Sequence, residues 1–313
     1  MKIVFMGTPD FAVGILQKLH QSKHEIASVV TVADKPSGRG QNLTESAVKK
    51  YCSENNLPVL QPLRLKDENF IDTLKKIDAD LFVVVAFRML PEVIWGIPKK
   101  GTINLHASLL PKYRGAAPIN WALLNGEKKT GVTTFFINDK IDTGDIIMQD
   151  EIFIDDHMNA GALHDALMKM GATTTMKTVD SIEAQDFQLI KQKDTETILP
   201  TAPKIFKKDC EIDWNSDCTT IHNFIRGLSP YPAAWCTLYN RKKESSSSFK
   251  LLDSIPLFEQ FENISTTDEG IVFPCKKGAI RVSLLQQEGK RRMHFKEFLA
   301  GNTIEDWEIK SQY

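Results

Sequence analysis

Short apolar runs separated by polar turns dominate the first half of the chain. Residues 2–6 (KIVFM), 26–32 (IASVVTV) and 81–87 (LFVVVAF) are bounded apolar runs of the kind that forms buried strands. Residues 11–20 lie between the first two runs and have the spacing of an amphipathic helix. This order of strand, helix and strand predicts a parallel sheet with right-handed crossovers.

The same pattern predicts further elements around this sheet. Strands are expected at residues 101–105, 130–137 and 145–149, and helices at residues 47–55, 117–124 and 160–181. Residues 34–46 (DKPSGRGQNLTES) are predicted to form a long polar loop.

The pattern changes beyond residue 196, where residues 197–206 are rich in proline and have no clear period, which is typical of a linker. Short strand-like segments follow at residues 211–214, 233–239, 249–252, 270–274 and 279–285, with one helix at 218–228. The four serines at 245–248 are predicted to form a loop tip. We therefore divide the chain into an α/β domain (1–196), a linker (197–206) and a small β-barrel or sandwich (207–313).

Composition limits the possible functions only partly. With 313 residues and 42% hydrophobic positions, the chain can form two ordinary cores. A formal net charge of −1 neither favours nor excludes nucleic acid, so any basic surface must be local. Basic clusters at 241–243, 276–277 and 290–292 are more often solvated faces than binding sites.

Five cysteines without a CxxC pair argue against a disulfide framework or a zinc ribbon. No metal is expected, because the sequence contains no cluster of metal-ligating residues. The apolar run at the N-terminus is too short for a signal peptide or a membrane span. We therefore expect a cytoplasmic protein without membrane contact.

Three polar groups in the middle of the chain suggest catalysis. Asn104 and His106 are two residues apart on a predicted strand, so their side chains project from the same face. Asp142 lies in the turn IDTGD between two later strands. Because ligands of open parallel sheets bind at the carboxyl ends of the strands, these three groups can meet there. A purely structural histidine is the alternative.

The chemistry of these groups favours acyl transfer. Asn104 can donate a hydrogen bond to a carbonyl oxygen that becomes negative. His106 can donate to the same oxygen or move a proton, and Asp142 can hold the imidazole or relay the proton that an attacking amine loses. No serine or cysteine is placed with a base as a covalent nucleophile, which indicates direct transfer between two bound substrates.

Two neighbouring segments allow more than one interpretation. The turn formed by Ser108, Leu109, Leu110 and Pro111 could wall a flat aromatic ligand, or it could be a buried irregular turn. Arg39 lies between two glycines in the long loop, either as a solvated side chain or as an arm that reaches a phosphate.

The central residues carry a family resemblance. NLHASLLPKYRGAAPINWALLNG (104–126) followed by GVTTFFINDKIDTGDII (131–147) resembles the signature of the folate-dependent formyltransferases. The resemblance implies a Rossmann-like formyltransferase domain with a mostly parallel sheet, and 10-formyltetrahydrofolate as co-substrate. It also implies that Asn104, His106 and Asp142 are the catalytic triad. Ser108, Leu109, Leu110 and Pro111 would then form the folate-binding turn.

The remainder of the chain resembles the branch of this family that acts on methionyl-tRNA. The segments are FMGTPDFAVGIL (5–16), DKPSGRG (34–40), APKIFKKDCEIDWN (202–215) and IRGLSPYPAAW (225–235). The resemblance implies an OB-like C-terminal barrel that helps to hold initiator tRNA. Arg39 would lie in a loop that enters the acceptor end, and Lys204 would lie in a linker that faces the tRNA. We expect a monomer that makes N-formylmethionyl-tRNA for translation initiation.

Two departures from the family concern the binding of tRNA. Gln41 and Asn42 follow the GRG sequence, where the family often has basic residues, and the C-terminal half is barely basic. Strong electrostatic capture of tRNA is therefore less well supported than the chemistry. The rivals are a formyltransferase that acts on an amino sugar nucleotide and a non-enzymatic protein that binds tRNA or folate.

Overall fold

The structure is a computed structural model that describes residues 1–37, 42–192 and 198–310. The chain divides into two units, each built from separate segments. The first contains Met1–Pro118, Lys129–Phe153 and His164–Ala202, and the second contains Ile119–Lys128, Ile154–Leu163 and Pro203–Tyr313. The domain limits drawn from the sequence (1–196, 197–206 and 207–313) stay a prediction.

The first unit is built around a seven-stranded sheet. Up to residue 202 the strands are β1 (Lys2–Gly7), β2 (Glu25–Val30), β3 (Lys35–Ser37), β4 (Asn42–Thr44), β5 (Val59–Leu60), β6 (Leu81–Val85), β7 (Thr102–His106), β8 (Arg114–Gly115), β9 (Lys129–Phe136), β10 (Ile146–Phe153) and β11 (Thr201–Ala202). The helices over the same range are α1 (Asp10–His20), α2 (Ala47–Glu54), α3 (Glu68–Ile77), α4 (Glu92–Trp95), α5 (Pro118–Leu124) and α6 (Ala160–Ala184). Helix α5 belongs to the second unit from Ile119 onward.

Strand order in the large sheet is β10-β9-β7-β6-β1-β2-β5. All neighbours from β5 to β7 pair in parallel, and β9 and β10 pair antiparallel. The predicted Rossmann-like fold with a mostly parallel sheet is therefore confirmed. All five residues of β6 are buried, as expected for a central strand of a parallel sheet whose two faces are both covered.

Helix α3 was not predicted, although its N-terminal signal is present in the sequence. The side chain of Asp67 caps the helix by accepting a hydrogen bond from the backbone N–H of Phe70 at 3.1 Å. Phe70 and Leu74 then lie one turn apart on the buried face and pack against Phe82 and Val84 of β6.

Three predicted segments of the first unit differ from the structure, and in the second unit the strand predicted at 211–214 is only an isolated bridge from Glu211 to Trp235. The polar loop at 34–46 contains an antiparallel hairpin of β3 and β4. The strand predicted at 81–87 ends at Val85, because Ala86 has a left-handed φ of 46° that turns the chain. The linker contains β11, which pairs in parallel with β8 and buries Ala202 completely.

The second unit contains a small antiparallel sheet and helix α7 (Cys218–Leu228), whose bounds are those predicted. The other elements are β12 (Ala234–Asn240), β13 (Ser245–Leu257), β14 (Ser265–Thr267), β15 (Gly270–Pro274), β16 (Ala279–Gln287), β17 (Met293–His294), α8 (Phe295–Leu299), β18 (Trp307–Ile309) and 3-10 turns at Lys207–Cys210 and Ile304–Asp306. The sheet order is β14-β15-β16-β13-β12-β18, with β17 beside β16. The prediction of an OB-like C-terminal domain is confirmed.

The four serines at 245–248 do not form a loop tip, so that prediction was wrong. They begin β13, where Ser248 lies opposite Thr237 and Ser245 lies opposite Asn240 of β12. An antiparallel sheet can leave one face in water, so a polar segment can pair there without apolar alternation. The serines are exposed or half-buried, which agrees with this position.

Two polar side chains of α7 are buried against the segment that follows β10. His222 Nε2 donates to the carbonyl of Asp156 at 3.2 Å, and its Nδ1 accepts from the hydroxyl of Ser254 at 3.0 Å. Arg226 donates to the carbonyl of Asp155 at 3.0 Å. Burial lowers the pKa of His222 below its ordinary value, and the nearby charge of Arg226 contributes in the same direction.

The five cysteines are free, and four of them are buried as small core residues. Burial raises the pKa of the Cys52 thiol to about 11, so it is not a reactive thiolate at neutral pH. Within the described ranges, no helix combines the length and the apolar character needed to cross a bilayer.

His222 should make folding stability depend on pH. Its contribution is complete above pH 6.5, the ordinary value for histidine. As the pH falls below that value, the unfolded chain takes up a proton that the folded chain resists, so the free energy of unfolding decreases. In His222→Gln, which can keep both hydrogen bonds, this decrease should be smaller. Urea denaturation from about pH 8 to about pH 5 measures it, and equal pH slopes for the two proteins would contradict the assignment.

Candidate active site

The carboxyl ends of β1, β6 and β7 lie at one edge of the large sheet. The chain runs from β1 outward to β2 and β5 and then returns to place β6 on the other side of β1. Ligands of open α/β sheets bind at the edge where the strand order reverses in this way. Asn104 and His106 belong to β7, where Asn104 lies beside Val84 of β6 and His106 lies beside Thr133 of β9.

The imidazole of His106 has a defined tautomer. Its Nε2 lies 2.8 Å from the carbonyl oxygen of Tyr113, and a carbonyl can only accept, so Nε2 carries the hydrogen. The other nitrogen, Nδ1, faces Asp142 with 3.7 Å between Nδ1 and Oδ2. This distance is too long for a hydrogen bond. A proton taken up by His106 must therefore bind Nδ1, on the side of the carboxylate.

Asp142 lies in a tight turn, and its carboxylate is bonded to the backbone of another segment. Its Oδ2 accepts a hydrogen bond from the backbone N–H of Gly115 at 2.9 Å. The residue has a left-handed φ of 54°, which a short polar side chain tolerates better than most. At Gly144 a Cβ atom would overlap the carbonyl oxygen of Phe136, so only glycine allows the turn to pass this strand.

Asn104 is half-buried, and its Oδ1 is a buried atom that no donor reaches among the residues the structure describes. Buried polar atoms in native proteins nearly always have a hydrogen-bond partner. This oxygen has no accessible surface, so a donor can reach it only after the side chain turns.

The turn from Ser108 to Pro111 is hydrogen-bonded to side chains of β9 and β10. Thr133 Oγ1 donates to the carbonyl of Ser108 at 2.6 Å and accepts from the backbone N–H of Leu110 at 3.1 Å. Gln149 Nε2 donates to the carbonyl of Leu110 and to Thr133 Oγ1, both at 2.9 Å. Ser108 and Leu110 are buried, whereas Leu109 and Pro111 are half-buried.

The backbone groups of Ser108 and Leu110 are therefore already hydrogen-bonded to Thr133 and Gln149. Only the side chains of Leu109 and Pro111 keep accessible surface for a ligand. Its role as a folate wall stays a prediction. Thr133 and Gln149 were missed from the sequence. The available signal was weak, namely polar residues inside runs that otherwise form a buried sheet.

Comparison with known proteins decides the family. Residues 1–179 match the family model described as formyl transferase, and residues 204–303 match the model of the formyl transferase C-terminal domain. The chain belongs to the formyl transferase family. It is 52% identical over 309 residues to a curated methionyl-tRNA formyltransferase of Flavobacterium johnsoniae, and the match covers 98% of each chain. A curated protein of the same name from Bacteroides thetaiotaomicron is 46% identical over 313 residues, covering 98% of this chain and 97% of the relative.

Solved structures share the fold of this chain at lower identity. WlaRD, a sugar 3N-formyl transferase crystallised with dTDP and 5-N-formyl-THF, has a TM-score of 0.64 at 23% identity, covering 93% of this chain and 99% of WlaRD. HypX from Aquifex aeolicus, in complex with tetrahydrofolic acid, has a TM-score of 0.61 at 17% identity, covering 96% of this chain and 47% of HypX. At these identities the likeness concerns the fold alone.

The two residues predicted to contact tRNA lie away from the triad in sequence. Arg39 lies outside the described residues. Lys204 belongs to the second unit and is exposed, with Nζ 5.3 Å from the ring centroid of Phe206. Phe206 is itself 52% exposed, so the cation and the aromatic ring both lie on the surface of the second unit.

A separate cluster in this formyl transferase could accept a metal by geometry. One ligand atom each from His24, Asp180 and Glu183 lies within 4.8 Å of the others. The ammonium of Lys23 already contacts both carboxylates, at 3.2 and 2.7 Å. The hydrogen bond from Lys23 is the largest cause that lowers the pKa of Glu183 to about 2. This cluster is therefore well described as an ion-pair network.

Thr133 should determine the shape of the turn at 108–111. Thr133→Val removes the acceptor of the Leu110 N–H and the donor to Ser108, which should cost roughly 1–3 kcal/mol of unfolding free energy. The Leu110 amide should also exchange its hydrogen faster. Thr133→Ser keeps the hydroxyl and is the matched control. Hydrogen exchange followed by mass spectrometry distinguishes them, and equal protection of Leu110 in both variants would argue against this role.

Proposed function

We propose that this protein transfers the formyl group of 10-formyltetrahydrofolate to the amino group of initiator methionyl-tRNA. The product would be N-formylmethionyl-tRNA for translation initiation. The observation that carries the proposal is the near-complete match to curated proteins named methionyl-tRNA formyltransferase. That match includes the C-terminal unit as well as the sheet that bears Asn104 and His106.

The folate co-substrate would supply the formyl group when it is bound at the carboxyl edge of the sheet. The NH2 group of Asn104 can donate to the acyl oxygen there as negative charge develops.

The amine nitrogen would bond to the formyl carbon and lose a proton to His106, and the bond from that carbon to N10 of the folate would break as N10 takes up a proton. Because Nε2 of His106 already donates to Tyr113, Nδ1 is the nitrogen able to accept the proton from the amine. The resulting imidazolium would face the carboxylate of Asp142, and the 3.7 Å between them can shorten to a charge-assisted hydrogen bond. Asp142 thus favours the protonated product of this step.

The co-substrate residues are proposed from the turn geometry. Leu109 and Pro111 would contact a flat pterin ring through their half-buried side chains. Ser108 and Leu110 would keep the turn in shape through their bonds to Thr133. A fold shared with a protein crystallised with tetrahydrofolic acid supports a folate co-substrate, without giving its position.

The tRNA residues are proposed mainly from the family resemblance. Arg39 would reach the acceptor end, and Lys204 would contact a phosphate from its exposed position in the second unit. We propose a monomer that works in the cytoplasm and needs no metal for the transfer. An amino sugar nucleotide is the rival acceptor, and the fold shared with a sugar formyl transferase favours keeping it as a test.

Transfer of a labelled formyl group to defined acceptors tests the function. With 10-formyltetrahydrofolate as donor, label should appear in charged initiator tRNA and not in an amino sugar nucleotide. Label in the sugar alone would support the rival enzyme. No product with either acceptor would support a protein that only binds tRNA or folate.

The catalytic assignment predicts large losses of turnover with intact folding. Asn104→Ala and His106→Ala should each lower kcat roughly 100- to 1,000-fold, because each removes a group that acts on developing charge or on the proton. His157→Ala, which changes an exposed histidine, is the control and should keep wild-type kcat. Steady-state assays on charged tRNA measure this, and near-normal turnover in both variants would show that the assignment is wrong.

The tRNA assignment predicts a different kinetic pattern. Arg39→Ala and Lys204→Ala should raise KM for charged tRNA without changing KM for the folate donor, since each removes a phosphate contact. Each lost phosphate contact should also reduce the salt dependence of tRNA binding by about one unit of log–log slope. Unchanged tRNA kinetics in both variants would remove these residues from the interface.

A further inference from the structure

The described residues of the segment after α6 contact the chain at residues 113–114 and 142–146. We name residues 190–202 the strap, which the structure describes at 190–192 and 198–202. Ile190 exchanges two backbone hydrogen bonds with Ile146, both at 2.9 Å. Further along, the carbonyl of Pro200 accepts from the N–H of Tyr113 at 2.7 Å. Tyr113 in turn provides the carbonyl that binds His106.

Within the strap, Gln192 makes the most specific contacts. Its Nε2 donates to the carbonyl of Asp142 at 3.0 Å and to the carbonyl of Gly144 at 2.8 Å. Its Oε1 accepts from Arg114, at 3.2 Å from Nε and 2.7 Å from Nη2. Carbonyls only accept and a guanidinium only donates, so the orientation of the carboxamide is fixed by chemistry. Both of its hydrogens and both of its lone pairs are used.

These four bonds join the two segments that position the carboxylate. Arg114 directly precedes Gly115, whose N–H donates to Asp142 Oδ2. Gln192 therefore binds the backbone of Asp142 through its NH2 group. Through its carbonyl oxygen it binds Arg114, which precedes Gly115, the donor to the Asp142 carboxylate. The left-handed backbone of Asp142 is a conformation that persists only when surrounding contacts enforce it. Gln192 supplies two such contacts from a position 50 residues away in sequence.

We propose that Gln192 is a positioning residue for formyl transfer, which acts by holding Asp142 at its distance from His106. This inference rests on the proposed function, because formyl transfer to methionyl-tRNA is the reaction whose kcat is measured. Gln192 does not face the reacting atoms through any of its own polar groups, because all of them are bonded to the protein. Its effect on turnover must therefore pass through Asp142.

Three variants separate the parts of this role. Gln192→Ala should lower kcat roughly 10- to 100-fold with little change in KM for either substrate. Gln192→Glu keeps an acceptor for Arg114 but sets carboxylate oxygens against the carbonyls of Asp142 and Gly144, so its kcat should also fall. Gln188→Ala changes an exposed glutamine four residues earlier and should keep wild-type kcat. Wild-type kcat in both Gln192 variants would overturn the proposal.

A double-mutant cycle distinguishes positioning from a general structural role. If Gln192 acts through Asp142, adding Gln192→Ala to Asp142→Asn should lower kcat by much less than it does alone. Independent, multiplicative losses in the double variant would overturn the proposal. Thermal unfolding of each variant identifies losses that come from misfolding, and Gln192→Glu, which retains the bond to Arg114, serves where Gln192→Ala does not fold.

One measurement does not depend on activity. The Gly115 amide, which is bonded to Asp142 Oδ2, should exchange its hydrogen about five- to thirtyfold faster in Gln192→Ala than in the wild type. Unchanged exchange at Gly115 would overturn the proposal. If the wild type fails to formylate methionyl-tRNA while this exchange still accelerates, the proposed function is wrong and the positioning role remains.

Discussion

The position of the Asp142 carboxylate is the constraint on which the rest of the site depends. It lies 3.7 Å from His106 Nδ1, close enough to stabilise a proton there and too far to be bonded beforehand. No regular element carries this residue, because it belongs to a turn with a left-handed backbone. Its position is therefore set by hydrogen bonds from Gly115 and Gln192, which come from distant parts of the chain.

Asn104 and His106, unlike Asp142, are positioned by a regular strand of the sheet. Asn104 and His106 are on β7, between the parallel strand β6 and the antiparallel strand β9, and their spacing follows from strand geometry alone. The irregular turn after β7 needs support that a strand does not need. Thr133 and Gln149 give this support from β9 and β10, so the antiparallel edge of the sheet has a function in shaping the site.

What the sequence predicts and what it misses follow from the range of the interactions. Periodicity and apolar runs are local, so the parallel sheet, helix α7 and the shared face of Asn104 and His106 could be predicted. Thr133 and Gln192 act on partners 25 and 50 residues away, and a lone polar residue carries no local signal of such a partner. The serines at 245–248 misled for a related reason, because their strand is stabilised by pairing with β12 and has no apolar pattern of its own.

The tautomer of His106 limits how the three groups can divide the chemistry. From the sequence alone, the imidazole could donate to the acyl oxygen or move a proton. In the structure its N–H at Nε2 is bonded to Tyr113, and a second hydrogen, at Nδ1, would face Asp142. In the proposed reaction a neutral His106 therefore has no hydrogen to offer the oxygen, and we assign that role to the amide of Asn104. The histidine would instead receive the proton that an amine releases when it attacks a formyl carbon.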